Sequence, residues 1–168
     1  MNTSRMLLLV VLSLPCFAAD DWQALPPVTS VHILRNGVEL MAGKSAIQVV
    51  AVRDDVIRIR VARNGKFPPD FSWAVLPETV RNPPPVDVSD SPQAVRFSTK
   101  NGSVRLEKSP LRIVFLDPAG KTLQSDARTM AFTGDAFRVW KTMPEDEHYY
   151  GLGDKAGSMD RRGRSFFM

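Results

Sequence analysis

The sequence predicts an all-β fold, an antiparallel β-sandwich, and three observations lead to that prediction. Val56 to Val61 alternates strictly, with Ile57, Ile59 and Val61 on one side and Arg58 and Arg60 on the other; this is the period of a strand with one buried face. Turn dipeptides punctuate the chain: Asn36-Gly37, Asn64-Gly65, Asn101-Gly102 and Gly134-Asp135. Asn-Gly is a strong hairpin signal because both residues tolerate positive φ. No window carries apolar residues at helical spacing over a useful length. The spacing of the turns suits a sandwich or a barrel, and strands with one apolar and one charged face favour the sandwich.

Taken in order, Asp20 to Pro27 reads as a leader closed by Pro26-Pro27. Val31 to Leu34 and Val38 to Leu40 then flank the first hairpin. Ala46 to Val52 is a short, nearly continuous apolar run, as a strand buried on both sides requires, and Asp54-Asp55 turns the chain into Val56 to Val61. Phe67 to Trp73 forms an extended connection through Pro68-Pro69. Trp73 to Leu76 is a further strand candidate. Pro77 to Pro85 is expected as a surface loop, since Pro83-Pro84-Pro85 cannot donate to a sheet ladder. Val86 to Ser89, Ala94 to Ser98, Val104 to Glu107 and Leu111 to Phe115 continue the pattern. Leu123, Met130 to Thr133 and Phe137 to Trp140 complete it.

The first nineteen residues stand apart. Arg5 gives a positive start, Met6 to Leu14 is apolar, and Cys16-Phe17-Ala18-Ala19 places small residues at signal-cleavage spacing. We therefore expect a signal peptide over 1–19, a mature domain over 20–168, and a periplasmic or secreted protein. The apolar run falls short of the ~20 residues a membrane span takes. A lipid anchor on Cys16 is disfavoured by Pro15, which stands where a small residue would be needed.

Composition excludes several classes of function. Apolar and charged fractions of 43% and 24% are those of an ordinary globular protein. The net charge of +4 becomes +3 once Arg5 leaves with the signal, and its cations are scattered, not gathered into the stripe of a nucleic-acid binder. Cys16 is the sole cysteine, so the mature chain has neither a disulfide nor a thiolate metal site. We expect no cofactor and no metal.

The most particular stretch is Tyr149 to Phe167. Gly151-x-Gly153-x-x-Ala156 superficially matches a dinucleotide fingerprint, but that motif needs a strand before it and a helix after it. Gly157, Asp160 and Gly163 exclude the helix. Glu145-Asp146-Glu147-His148 reads as a solvated acidic turn, because neighbours on an extended chain point to opposite sides and do not converge on one ion. Asp154 and Asp160 read as ion-pair partners of Lys155 and the arginines. Ser158 and Ser165 lack a nucleophile elbow. These residues contain no complete catalytic set. The chain ends within the apolar Phe166-Phe167-Met168, from which we expect the molecule to continue.

Tyr150-Gly151-Leu152-Gly153-Asp154-Lys155 followed by Met159-Asp160-Arg161-Arg162-Gly163 resembles the Y-G-L-G-E-K…L-D-R-R-G signature of glycoside hydrolase family 31. Val56 to Val61 followed by Asp70 to Val75 is similar to the family's earlier R-x-R-V…S-W-A-V pattern. Asp154 stands where Glu is commoner, and Met159 where Leu is. The resemblance implies a sandwich of the galactose-mutarotase-like type placed before a (β/α)8 barrel, with the catalytic Asp pair of a retaining α-glycosidase in that barrel. It therefore carries no catalytic residue over to this chain. It implies that Tyr150, Gly151, Gly153, Asp154, Lys155, Asp160, Arg161, Arg162 and Gly163 hold the domain against the barrel or lie beside its substrate. The expected partners are the barrel and, in the whole enzyme, a carbohydrate. The alternative is a stand-alone carbohydrate-binding sandwich using Trp22, Trp73 or Trp140 as stacking platforms.

Overall fold

The computed structural model describes residues 21–70, 75, 78, 82–151, 153 and 156–165. The expected signal peptide, Trp73 with most of the Trp73 to Leu76 segment, and part of the Pro77 to Pro85 segment lie outside these residues. Among the described residues Glu78 alone has helical backbone, and no helix is long and apolar enough to cross a membrane.

Two antiparallel sheets carry the fold. The smaller is a meander of β2 (Ser30–Leu34), β3 (Gly37–Ala42), β4 (Ser45–Arg53) and β5 (Val56–Ala62). The larger runs from β6 (Asp87–Asp90) through β7 (Ala94–Thr99), β8 (Gly102–Lys108) and β9 (Leu111–Leu116) to β10 (Thr122–Thr133). β10 also pairs with β1 (Gln23–Ala24) and with β11 (Ala136–Lys141). The hairpins at Asn36-Gly37, Asn101-Gly102 and Gly134-Asp135 are present, whereas Asn64-Gly65 turns the chain out of β5 without pairing it to a following strand among the described residues.

The two sheets close on one core. Val38, Leu40, Ile47, Val49 and Ala51 from the smaller sheet meet Val95, Phe97, Val104, Leu106 and Ile113 from the larger. The alternation that marked β5 is real: Ile57, Ile59 and Val61 pack against that core. Its charged side is occupied as well. Arg58 Nη1 lies 2.7 Å from the Asp70 carboxylate, and Arg60 donates to the Pro68 carbonyl at 2.7 Å while its guanidinium covers the Phe67 ring. The extended connection thus lies along the polar face of β5. Other ties cross between sheets. The Thr99 hydroxyl donates to the Asp54 carbonyl at 2.7 Å, and Val86 N–H to the Arg35 carbonyl at 3.1 Å.

Two readings are corrected. The leader contains a short strand: Gln23 and Ala24 pair with Phe132 and Ala131, and Leu25 is buried. Leu123 and Met130 to Thr133 belong to one strand, β10, whose pairing shifts register on both sides of Arg128. The break in alternation comes from Asp126, a buried carboxylate. It accepts from Ile113 N–H at 2.9 Å and from Lys141 Nζ at 2.5 Å, and so takes a place that an apolar residue would hold in a regular strand.

Candidate functional site

β11 delivers the chain to the glycine- and arginine-rich segment, which forms a hook between Pro144 and Arg164. Local chemistry dictates its irregular shape. Gly151, Gly153, Gly157 and Gly163 all have positive φ, a conformation that costs side-chain-bearing residues energy. With neither helix nor sheet to satisfy the backbone, side chains supply the hydrogen bonds.

Asp160 is the hub. Its Oδ1 accepts from the backbone N–H of Arg162 at 2.9 Å and of Tyr149 at 3.2 Å, and its Oδ2 sits 2.6 Å from His148 Nδ1. A carboxylate surrounded by donors resists protonation. The His148 hydrogen bond, then the Arg162 N–H, hold the Asp160 carboxyl at about 2, below its ordinary 3.8; partial desolvation opposes this without cancelling it. Arg162 closes a second loop, its Nη1 donating to the carbonyls of Pro144 and Glu147 at 2.6 Å each. Arg161 N–H donates to the Tyr149 carbonyl at 2.7 Å, which clamps the two arms together. A hydrogen bond with Glu147, reinforced by desolvation and by the Glu147 charge, raises the Tyr149 phenol above its ordinary 10.0; the Arg162 charge partly offsets it.

These bonds all close within residues 144–164, and the hook's outer side stays open. Tyr150 is 66% exposed and Met159 80% exposed. The His148 and Tyr150 rings stack, with centroids 6.3 Å apart. A small cleft of about 160 Å³ lies among Ala156, Gly157, Ser158, Arg161, Arg164 and Ser165.

Of the sequence-derived candidates, Tyr150, Gly151, Gly153, Asp160, Arg161, Arg162 and Gly163 share this hook, while Asp154 and Lys155 lie outside the described residues. The Asp160 carboxylate takes His148 and backbone amides as partners in place of the expected arginine side chains. The Arg162 guanidinium takes carbonyls. Sequence reasoning missed His148, which it assigned to a solvated turn. Its place beside Tyr149-Tyr150 was the one available signal. Among the described residues no group of three or more His, Cys, Asp or Glu is placed to hold a metal ion.

The chain is similar to known proteins in sequence and in fold. Alpha-glucosidase 2 of Bacillus thermoamyloliquefaciens is 32% identical over 127 residues, which is 73% of the chain but 16% of that enzyme's length. A GH31 dextranase of Flavobacterium johnsoniae, solved with isomaltotriose, superposes with a TM-score of 0.73 at 28% identity. The match covers 84% of the chain and 18% of the dextranase. The fold is also that of part of a GH31 alpha-xylosidase from Xanthomonas citri, with TM-score 0.67, 22% identity, and coverage of 80% and 16%. The chain thus spans less than a fifth of each of these relatives. Residues 46–168, from β4 through the hook, match the glycosyl hydrolase 31 N-terminal galactose mutarotase-like domain, and the chain belongs to that family.

Proposed function

We propose that this chain is the non-catalytic N-terminal domain of an exported retaining α-glycosidase acting on α-glucosides or related sugars. One observation carries the reading: the hook is braced from within yet presents Tyr150 and Met159 outward. A segment that held only its own sandwich together would not need such bracing beneath two exposed apolar side chains. Such exposed side chains suit docking onto a larger body, and a relative about five times as long supplies the precedent for one.

The setting of Asp160 supports a non-catalytic role for the hook. Retaining hydrolysis takes two carboxyl groups about 5–5.5 Å apart, one of them protonated to act as acid. Asp160 is committed to three donors and held ionised, so it serves as neither acid nor unencumbered nucleophile. The described tryptophans offer little to the alternative of a sugar-stacking module. Arg138 covers the Trp22 ring at 4.1 Å, and Trp140 is half-buried on β11.

Incubating the purified chain with an aryl α-glucoside tests the reading. Release of the aryl alcohol at the uncatalysed rate is expected, and turnover above it would overturn the non-catalytic assignment. The intact mass of protein recovered from the periplasm or medium tests export. Cleavage after Ala19 is expected, and a full-length, uncleaved product retained in the cytoplasm would refute it.

A further inference from the structure

The outer face of the larger sheet carries a charge arrangement that neither the fold nor the hook explains. Cross-strand register aligns Ser89, Arg96, Arg105, Val114 and Ser125 in one row across β6 to β10. Arg96 and Arg105 are therefore direct partners on neighbouring strands, an arrangement that is destabilising for like charges. Arg112 stands in the adjacent row opposite Glu107. Arg105 and Arg112 thus share Glu107, which lies 2.8 Å from Arg112 Nε and 3.5 Å from Arg105 Nη2. Arg96 has no carboxylate within ion-pair distance among the described residues. The Nε of Arg105 is shielded from solvent without a hydrogen-bond partner. Asp126, the other nearby acid, is already engaged by Lys141 and by Ile113 N–H.

Beside this row lies a cleft of about 430 Å³, bordered by Arg105, Glu107, Arg112, Ser125, Asp126 and Thr142. The Ser125 hydroxyl donates to that of Thr142 at 2.9 Å, so two hydroxyl groups are fixed at its rim. A guanidinium with spare donors, such as Arg96 or the unbonded Nε of Arg105, can hold a carboxylate with two parallel bonds. Fixed hydroxyls and a carboxylate select sugar hydroxyls. The cleft's volume falls within the range of small-molecule sites and is modest for a flat protein interface.

We infer that this cleft is a binding site for an acidic saccharide unit, its carboxylate held by Arg105 with Arg96 and its hydroxyls met by Glu107, Ser125 and Thr142. This site is separate from the hook and does not depend on the catalytic assignment.

Amide chemical shifts of the full chain, titrated with D-glucuronate, D-glucose or acetate, test the inference. Glucuronate is expected to shift the Val114 and Ser125 amides and to bind about tenfold more tightly than either of the others. Arg105→Gln and, separately, Arg96→Gln should each weaken it about several-fold to tenfold. The exposed Arg96→Gln keeps the test decisive should Arg105→Gln not fold. Arg128→Gln, which removes a charge outside the Arg96–Arg105 row, should leave binding unchanged. Glucose or acetate binding as tightly as glucuronate would overturn the inference, as would equal weakening by Arg128→Gln or no shift at Val114 and Ser125.

Discussion

At Gly37 the backbone of β3 passes so close to β4 that no side chain fits. An added Cβ would lie 2.2 Å from the Val49 carbonyl oxygen and 2.7 Å from Val50 Cα. Both obstacles are main chain, so the strand itself would have to move. Gly37→Ala is expected to cost about 1–3 kcal/mol or more, read as a lower midpoint of urea unfolding at unchanged slope; a midpoint within error of wild type would contradict the close approach. Asp126 makes the opposite point, because there the side chain is required. Removing it strands Ile113 N–H and Lys141 Nζ beside a buried strand. Asp126→Ala should cost about 1–3 kcal/mol. It should also loosen β11 before the rest of the sheet, seen as faster amide exchange on Arg138 and Trp140 than on Leu106.

At the scale of the element, the hook's order depends on one carboxylate. The Asp160 carboxyl is held at about 2 in the folded hook against an ordinary 3.8. A depressed value means the ionised form is favoured by folding. That contribution is complete above about pH 3.8 and disappears as pH falls through about 2. Between those limits the amides of Tyr149 and Arg162 should lose protection while those of β8 and β9 keep theirs. Asp160→Asn should produce the same local loosening at neutral pH, at least several-fold faster tryptic cleavage after Arg161 and Arg162, with the sandwich's unfolding midpoint unmoved. A hook as resistant as wild type would show that His148 and the amides do not depend on Asp160. The motif's residues were legible in the sequence, since positive-φ glycines and an Arg cluster are too costly to be incidental. Its wiring was not. His148 and Asp160 are twelve residues apart on irregular backbone, where no period exists to read, and the partners of Arg162 are carbonyls, which every residue possesses.

Across the whole molecule, the sandwich was legible because its signals are local. Alternation fixed the inner face of β5, and Asn36-Gly37 and Asn101-Gly102 fixed hairpins whose register follows from the turn. The failures also have local causes. Asp126 and the register shifts around Arg128 hide the continuity of β10, and the two-residue β1 is too short to alternate. What no local signal conveys is that the sheets share one core, and Phe97 is where that is most exposed to test. It is the largest of the fully buried side chains and belongs to a cluster drawn from both sheets. With Cys16 the sole cysteine, no disulfide within the chain ties the sheets, and this packing joins the hydrogen bonds that cross between them. Phe97→Ala removes a buried ring and leaves a cavity, a loss of about 3–5 kcal/mol from a total that for domains generally is about 5–15. Because the cluster is common, the loss should reach both sheets: global exchange of the Leu40 and Val49 amides should accelerate with that of Leu106 and Ile113, in one cooperative transition. Acceleration confined to Leu106 and Ile113 would mean that the sheets unfold separately and that the shared core does not couple them.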